Sequence, residues 1–220
     1  MEAVADGLWQ LRGRPRHAIN IYLAGDVLVD AGTRQAGKRI LRQLRGRPVH
    51  AHALTHVHPD HQGCAKAVCE ARGVPLACHA GDVDAMEGRR PVAATTNPGA
   101  KFFARMWEGP PHQVDRVLQE GDEVADFRLV HAPGHAPGEV IYFRESDRVA
   151  ICGDVIRNCT YVTMRTKLAE PPDELTPDPV ENRASIRKLA ALNPSLILPG
   201  HGPAVTDIAA FERFASALPG

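Results

Sequence analysis

Apolar positions along the chain change period several times, and the changes divide it into short strands and amphipathic helices. Residues 19–30 read Ile-Asn-Ile-Tyr-Leu-Ala-Gly-Asp-Val-Leu-Val-Asp. Two apolar runs about a Gly-Asp turn predict a β-hairpin. Ile40, Leu41 and Leu44 then recur at helical spacing, with Thr33 as the expected cap and Gly46 as the stop. A strand is predicted over 49–55, a helix over 63–72 and a strand over 74–78. Residues 86–111 lose the pattern at Asn97-Pro98-Gly99 and Pro110-Pro111, with a helical patch over 102–107. Apolar runs at 127–130, 140–143, 149–152 and 195–198 predict strands, with a turn at Glu145-Ser146-Asp147. Asp178, Pro179 and Glu181 fit the cap, first and third positions of a helix reaching residue 192. Thr206 is the expected cap of a last helix ending near residue 218. Strands alternating with helices in this way predict an α/β sandwich.

At 220 residues the chain is expected to form one domain, 1–220, with a full core. Lys plus Arg and Asp plus Glu are both 26, so the formal net charge is zero, which counts against nucleic acid as partner. The N-terminus carries Glu2 and Asp6 and no long apolar run, so neither a signal peptide nor a membrane helix is expected. Five cysteines without a C-x-x-C indicate free thiols in a reducing compartment, and the cytoplasm is the expected location.

Candidate chemistry concentrates where the 49–55 strand ends. Residues 55–63 read Thr-His-Val-His-Pro-Asp-His-Gln-Gly, placing His56, His58, Asp60 and His61 within six residues. Imidazoles with a carboxylate suit zinc, iron or manganese, whereas calcium and magnesium recruit oxygens almost alone. In extended backbone His56 and His58 point the same way, so they can chelate one ion. Pro59 forces a turn and swings Asp60 and His61 onto another heading, where a second ion fits. The alternative, a solvated histidine-rich loop, sits poorly with an internal run interrupted by Pro and Asp. His135, Asp154 and His201 each stand beside glycine just past a predicted strand, a place where loops carry chemistry. His50 and His52 fall inside a predicted strand and are read as structural. His131 is expected beside a ligand, as a hydrogen-bonding neighbour.

In chain order, T-H-V-H-P-D-H, A-P-G-H-A-P-G, G-D-V and L-P-G-H-G resemble the metal motifs of the metallo-β-lactamase-fold hydrolases, and Leu28-Val-Asp-Ala-Gly32 resembles that family's first strand-end motif. The resemblance spans nearly the whole chain. It implies a four-layer αβ/βα sandwich with two divalent transition-metal ions at one edge, zinc first and iron or manganese as alternatives. His56, His58 and His135 would hold one ion, Asp60, His61 and His201 the second, and Asp154 would bridge them. The ions would share a hydroxide that attacks the substrate, with Asp60 also orienting it or carrying its proton.

Asp154 stands where true β-lactamases of this superfamily commonly lack a bridging aspartate, so antibiotic hydrolysis is not expected. P-G-H-A-P-G and G-D look most like the glyoxalase II and related thioesterase or lactonase branches, which implies cleavage of an ester, thioester or lactone. The chain ends about twenty residues after His201, leaving no room for the C-terminal helical domain that binds glutathione in glyoxalase II. Alternatives within the fold are a persulfide dioxygenase with one iron on His56, His135 and Asp154, and a phosphodiesterase. A small-molecule substrate is expected, and a homodimer stays open. Phe102, Phe103, Met106 and Trp107 are candidates for an apolar lid, against the alternative of a core-facing helix. Arg157, Tyr161, Arg165 and Lys167, in the 156–177 segment, are candidates for binding a carboxylate or an oxyanion, against the alternative of a solvated loop.

Overall fold

The computed structural model describes residues 1–92, 97–161 and 163–219. The predicted irregular stretch 86–111 and the 156–177 segment therefore fall partly outside the described residues, at 93–96 and at 162.

The first sheet contains β1 (Glu2–Ala5), β2 (Leu8–Gln10), β3 (Tyr22–Ala24), β4 (Val27–Val29), β5 (Ala51–Ala53), β6 (Leu76–His79) and β7 (Arg116–Leu118), in that spatial order. The first four strands are antiparallel neighbours, and β4 through β7 run parallel. The second sheet contains β8 (Glu123–Val124), β9 (Phe127–His131), β10 (Val140–Arg144), β11 (Val149–Gly153) and β12 (Leu196–Pro199), with β11 and β12 parallel. The helices are α1 (Gly37–Gln43), α2 (Pro59–Gln62), α3 (Ala65–Arg72), α4 (Val83–Met86), α5 (Pro98–Trp107), α6 (Pro179–Ala191) and α7 (Ile208–Ser216).

Three apolar clusters produce the layers. Tyr22, Val29 and Ala53 of one sheet pack with Phe127, Tyr142 and Ile151 of the other, joining the sheets face to face. Ile40 and Val68, from α1 and α3, cover the outer face of the first sheet with Leu23 and Leu54. Ile186, Leu189 and Phe211, from α6 and α7, cover the second with Ile141 and Ile197. Helix, sheet, sheet, helix is the four-layer αβ/βα sandwich that the motifs implied. Among the described residues no helix is long and apolar enough to cross a membrane.

Most predicted elements are present, and the differences have local causes. The 49–55 strand stops at Ala53 because the Thr55 amide leaves the ladder and donates to Asp30 Oδ1 at 2.8 Å. Thr33 does not cap α1. Its carbonyl accepts from Ala36 N in a turn, and the helix begins at Gly37 without a side-chain cap. Asp207, not Thr206, caps α7 by accepting from Ala210 N at 2.9 Å. Pro59 opens α2 at its first turn, where a missing N–H costs nothing. Asp178 caps α6 as expected, accepting from Glu181 N at 2.8 Å. Strands β1, β2, β7 and β8 are too short or too exposed to have shown a period.

Candidate metal centre

Both sheets deliver their loops to one edge, and the seven predicted ligand residues converge there. Their donor atoms form three overlapping groups, His56 with His58 and His135, His56 with His61 and Asp154, and Asp60 with His61 and His201, each within 4.8 Å. Asp154 is central. Its Oδ2 lies 3.1 Å from His201 Nε2 and 3.6 Å from His135 Nε2, and its Oδ1 lies 3.4 Å from His61 Nε2. His201 Nε2 is also 3.2 Å from Asp60 Oδ2, and His58 Nδ1 is 2.9 Å from His135 Nε2.

Four rings are oriented from behind. His56 Nδ1 is 3.1 Å from Thr55 Oγ1 and 3.2 Å from Glu139 Oε2. His61 Nδ1 meets Asp30 Oδ2 at 2.9 Å, His135 Nδ1 meets Thr176 Oγ1 at 3.2 Å, and His201 Nδ1 meets the Ala18 carbonyl. Holding one ring nitrogen fixes which nitrogen faces inward, and here it is Nε2. His58 is different, since it turns Nδ1 toward the group.

The loops themselves are bolted down. Asp30 takes a left-handed backbone conformation (φ 62°), which aspartate tolerates, and binds Thr55 through both its amide and its hydroxyl. Glu139 Oε1 accepts from Asp154 N at 2.9 Å. Asn20 donates to the carbonyls of Pro199 and Gly202 at 2.8 Å each, anchoring the loop that carries His201. A side chain at Gly200 would put its Cβ 2.7 Å from His61 Cε1 and closer still to Asp154 Oδ1. Only glycine permits that approach.

Electrostatics divides the cluster. Burial, with the neighbouring imidazoles, holds His56 well below the usual histidine range and His135 down to about 3, and burial lowers His58. These three present unprotonated nitrogens at neutral pH. Burial opposes charge on His61 and His201 too, but the Asp154 carboxylate raises both. Asp60 is held ionised to about 2 against burial by its hydrogen bond to His201 and the charge of His61. Burial and the Asp154 charge push the Glu139 carboxyl up. Among the described residues His56 Nε2, His61 Nε2 and Asp154 Oδ1 are buried with no hydrogen-bond partner. Three partnerless inward donor atoms in one cluster fit a cation, because such atoms cost free energy unless something binds them.

Residues 14–201 match the model of the metallo-beta-lactamase superfamily. The chain belongs to the metallo-β-lactamase superfamily. A similar relative is the "Probable metallo-hydrolase YflN" of Bacillus subtilis, 29% identical over 201 residues, 82% of this chain and 76% of that protein. Hydroxyacylglutathione hydrolase of Rhodospirillum rubrum is 26% identical over 106 residues, 46% of this chain and 32% of that protein. Among solved structures, TTHA1623 in a di-iron-bound form is 28% identical, with a TM-score of 0.64 over 90% of this chain and 88% of that one. The BLEG-1 B3 metallo-beta-lactamase, 24% identical, shares the fold with a TM-score of 0.70, covering 97% of this chain and 100% of that one.

In this superfamily member the cluster floors a cavity of about 650 Å³. Trp107 and Tyr161 line it, whereas Arg157 and Arg165 do not. The Arg157 guanidinium stacks 5.0 Å from the Tyr161 ring and donates to the Glu170 and Cys159 carbonyls, and Tyr161 stands edge-on to His201 at 5.2 Å. Of the expected lid, Phe103 and Trp107 border the cavity, whereas Phe102 and Met106 are exposed outside it. Among the described residues no hydrogen bond or ring contact joins His131 to the cluster. His131 stacks on His79 at 4.0 Å and bonds the Pro137 carbonyl. His52 is structural, bonding the Leu28 carbonyl from the core. Glu139, Thr176 and Asn20 went unnoticed in the sequence because single polar residues carry no spacing signal. Asp30 was visible only as part of a strand-end motif.

Proposed function

We propose that the chain is a metal-dependent hydrolase of esters, thioesters or lactones, with two divalent ions in the Asp154 cluster. His56, His58 and His135 hold one ion, Asp60, His61 and His201 the other, and Asp154 lies between them. The observation that carries the reading is the pairing of two ligand triplets around one carboxylate, with inward Nε2 and Oδ1 atoms left partnerless. Two bound ions supply an activated water and a Lewis acid for the scissile carbonyl.

The chain's own groups do the rest. Asp60 borders the cavity and stays ionised, so it can orient the attacking water and accept its proton. The Tyr161 phenol lines the cavity with its ring edge-on to His201, is protonated at neutral pH as any ordinary phenol is, and can donate to an oxyanion forming over His201. Phe103 and Trp107 exclude water from one side of the cavity. The partial match to hydroxyacylglutathione hydrolase supports a thioesterase-type branch, and the hydrolase name of the Bacillus relative supports hydrolysis. Zinc is the first candidate ion, and the di-iron form of TTHA1623 makes iron the second.

The test pairs metal analysis of the purified protein with a screen of thioesters, lactones, phosphodiesters and glutathione persulfide. Two ions per chain with thioester or lactone turnover is the expected result. One iron per chain with oxygen uptake on the persulfide would overturn it. His58→Ala and Asp154→Ala should each abolish turnover in a protein that remains folded by circular dichroism.

A further inference from the structure

The cavity above the cluster has mainly apolar walls, yet it carries two guanidinium groups that hydrolysis itself leaves unused. Arg14, between β2 and β3, and Arg39, in the first turn of α1, line the same space as Asp60, His135 and Asp154. Among the described residues neither forms an ion pair with a carboxylate. The Arg39 guanidinium donates to the Arg12 carbonyl at 2.6 Å, which fixes the helix to the Arg14 segment. Burial, then the charges of Arg14 and Arg42, lower the Arg39 pKa while leaving it a cation at neutral pH.

The neutrality of the whole chain conceals this corner. Residues 12–47 contain nine Arg or Lys and two Asp. Neither aspartate neutralises the cavity, since Asp30 is buried against His61 and Asp26 pairs with His50. A basic helix face is ordinarily just solvated, and Lys38, Arg42 and Arg45 fit that description. Arg14 and Arg39 differ by lining a cavity. In the same lining Phe103 is 48% exposed, and its ring lies 5.4 Å from that of Trp107, an apolar surface that water covers poorly.

We propose that the cavity selects amphiphilic acyl substrates, with an apolar stretch against Phe103 and Trp107 and an anionic group, carboxylate or phosphate, held by Arg14 and Arg39. Placing the scissile bond at Asp154 rests on the hydrolase reading. The contact between arginine and anion does not. Guanidinium recognises both anions through paired N–H groups, and the apolar wall strengthens the attraction by excluding water.

The test titrates the full-length protein, with its metals as purified, against octyl phosphate, octanoate and 1-octanol, following tryptophan fluorescence. One or both anions should bind roughly ten- to a hundredfold tighter than the alcohol, the scale of a charge-assisted contact. The anion with the larger margin identifies the group recognised. Arg14→Ala with Arg39→Ala should remove most of that margin, leave octanol binding unchanged and keep the urea midpoint of the parent. A margin that survives in the double variant would place the anion on the metals and overturn the proposal, as would equal binding of all three probes. Loss of the margin in a protein that hydrolyses no ester would sink the hydrolase reading alone. Hydrolysis of neutral thioesters with no margin would sink the anion site alone.

Discussion

Asp82 is expected to set both the stability of the molecule and the geometry of the candidate metal centre, although it lies outside the cluster of candidate ligands. It is 2% exposed, in a short 3-10 turn after β6. Its Oδ2 accepts from Val57 N at 2.9 Å, and its Oδ1 accepts from Gly138 N at 3.1 Å and from Arg90 at 3.1 Å. Val57 lies between His56 and His58, and Gly138 lies three residues past His135, so one carboxylate ties together the loops that carry three of the predicted ligands. Asp82→Ala leaves two buried backbone donors without acceptors, at about 1–3 kcal/mol each. The expected loss is about 2–6 kcal/mol, a large share of the roughly 5–15 kcal/mol typical of a folded domain. Asp82→Asn keeps one acceptor oxygen but turns its amide N–H groups toward the second donor, so it should recover about half. Urea unfolding followed by circular dichroism, with metals chelated so that binding adds nothing, measures both changes. Asp82→Ala within about 1 kcal/mol of the parent, or Asp82→Asn no better than Asp82→Ala, would refute the clamp.

Chelation should lower the thermal midpoint by several degrees and re-addition of zinc or iron should restore it, because a ligand bound only by the native state stabilises by mass action; a midpoint indifferent to both would count against a resident cation. Asp30→Asn should weaken the ion held by His61 about 10- to 100-fold while sparing most of the fold, since the amide still offers Thr55 an oxygen; metal competition titrations would show it, and unchanged affinity would mean that Asp30 does not orient the ring. Gly200→Ala should eliminate turnover, because its Cβ meets both Asp154 and His61; wild-type kcat would show that the His201 loop shifts freely.

The candidate ligands were legible because metal chemistry restricts residue type and the fold places such residues at strand ends, so T-H-V-H-P-D-H and the three later motifs carry position as well as identity. The supports of those ligands were not. Glu139 follows His135 by four residues and reads as an ordinary strand-start residue until β10 brings it under both His56 and Asp154. Arg39 reads as one of several cations on a solvated helix, and only the cavity separates it from Lys38. Caps were misplaced by a few residues at Thr33 and by one at Thr206 for a related reason. Neighbouring turns compete for the same backbone donors, and pattern alone does not say which wins.

The two sets of residues also answer to different constraints. Four of the five histidines of the cluster are backed by a buried partner: Glu139 and Thr55 behind His56, Asp30 behind His61, Thr176 behind His135 and the Ala18 carbonyl behind His201. Such a shell tolerates little displacement, because a side chain that moves strands another buried polar group. Arg14, Phe103 and Tyr161 have no comparable backing, being partly exposed and attached to the 11–21 segment, α5 and the loop after β11. The same metal chemistry can therefore be kept while the rim changes. A substitution at the rim should shift KM and substrate choice, whereas one in the shell should lower kcat, metal affinity and stability together.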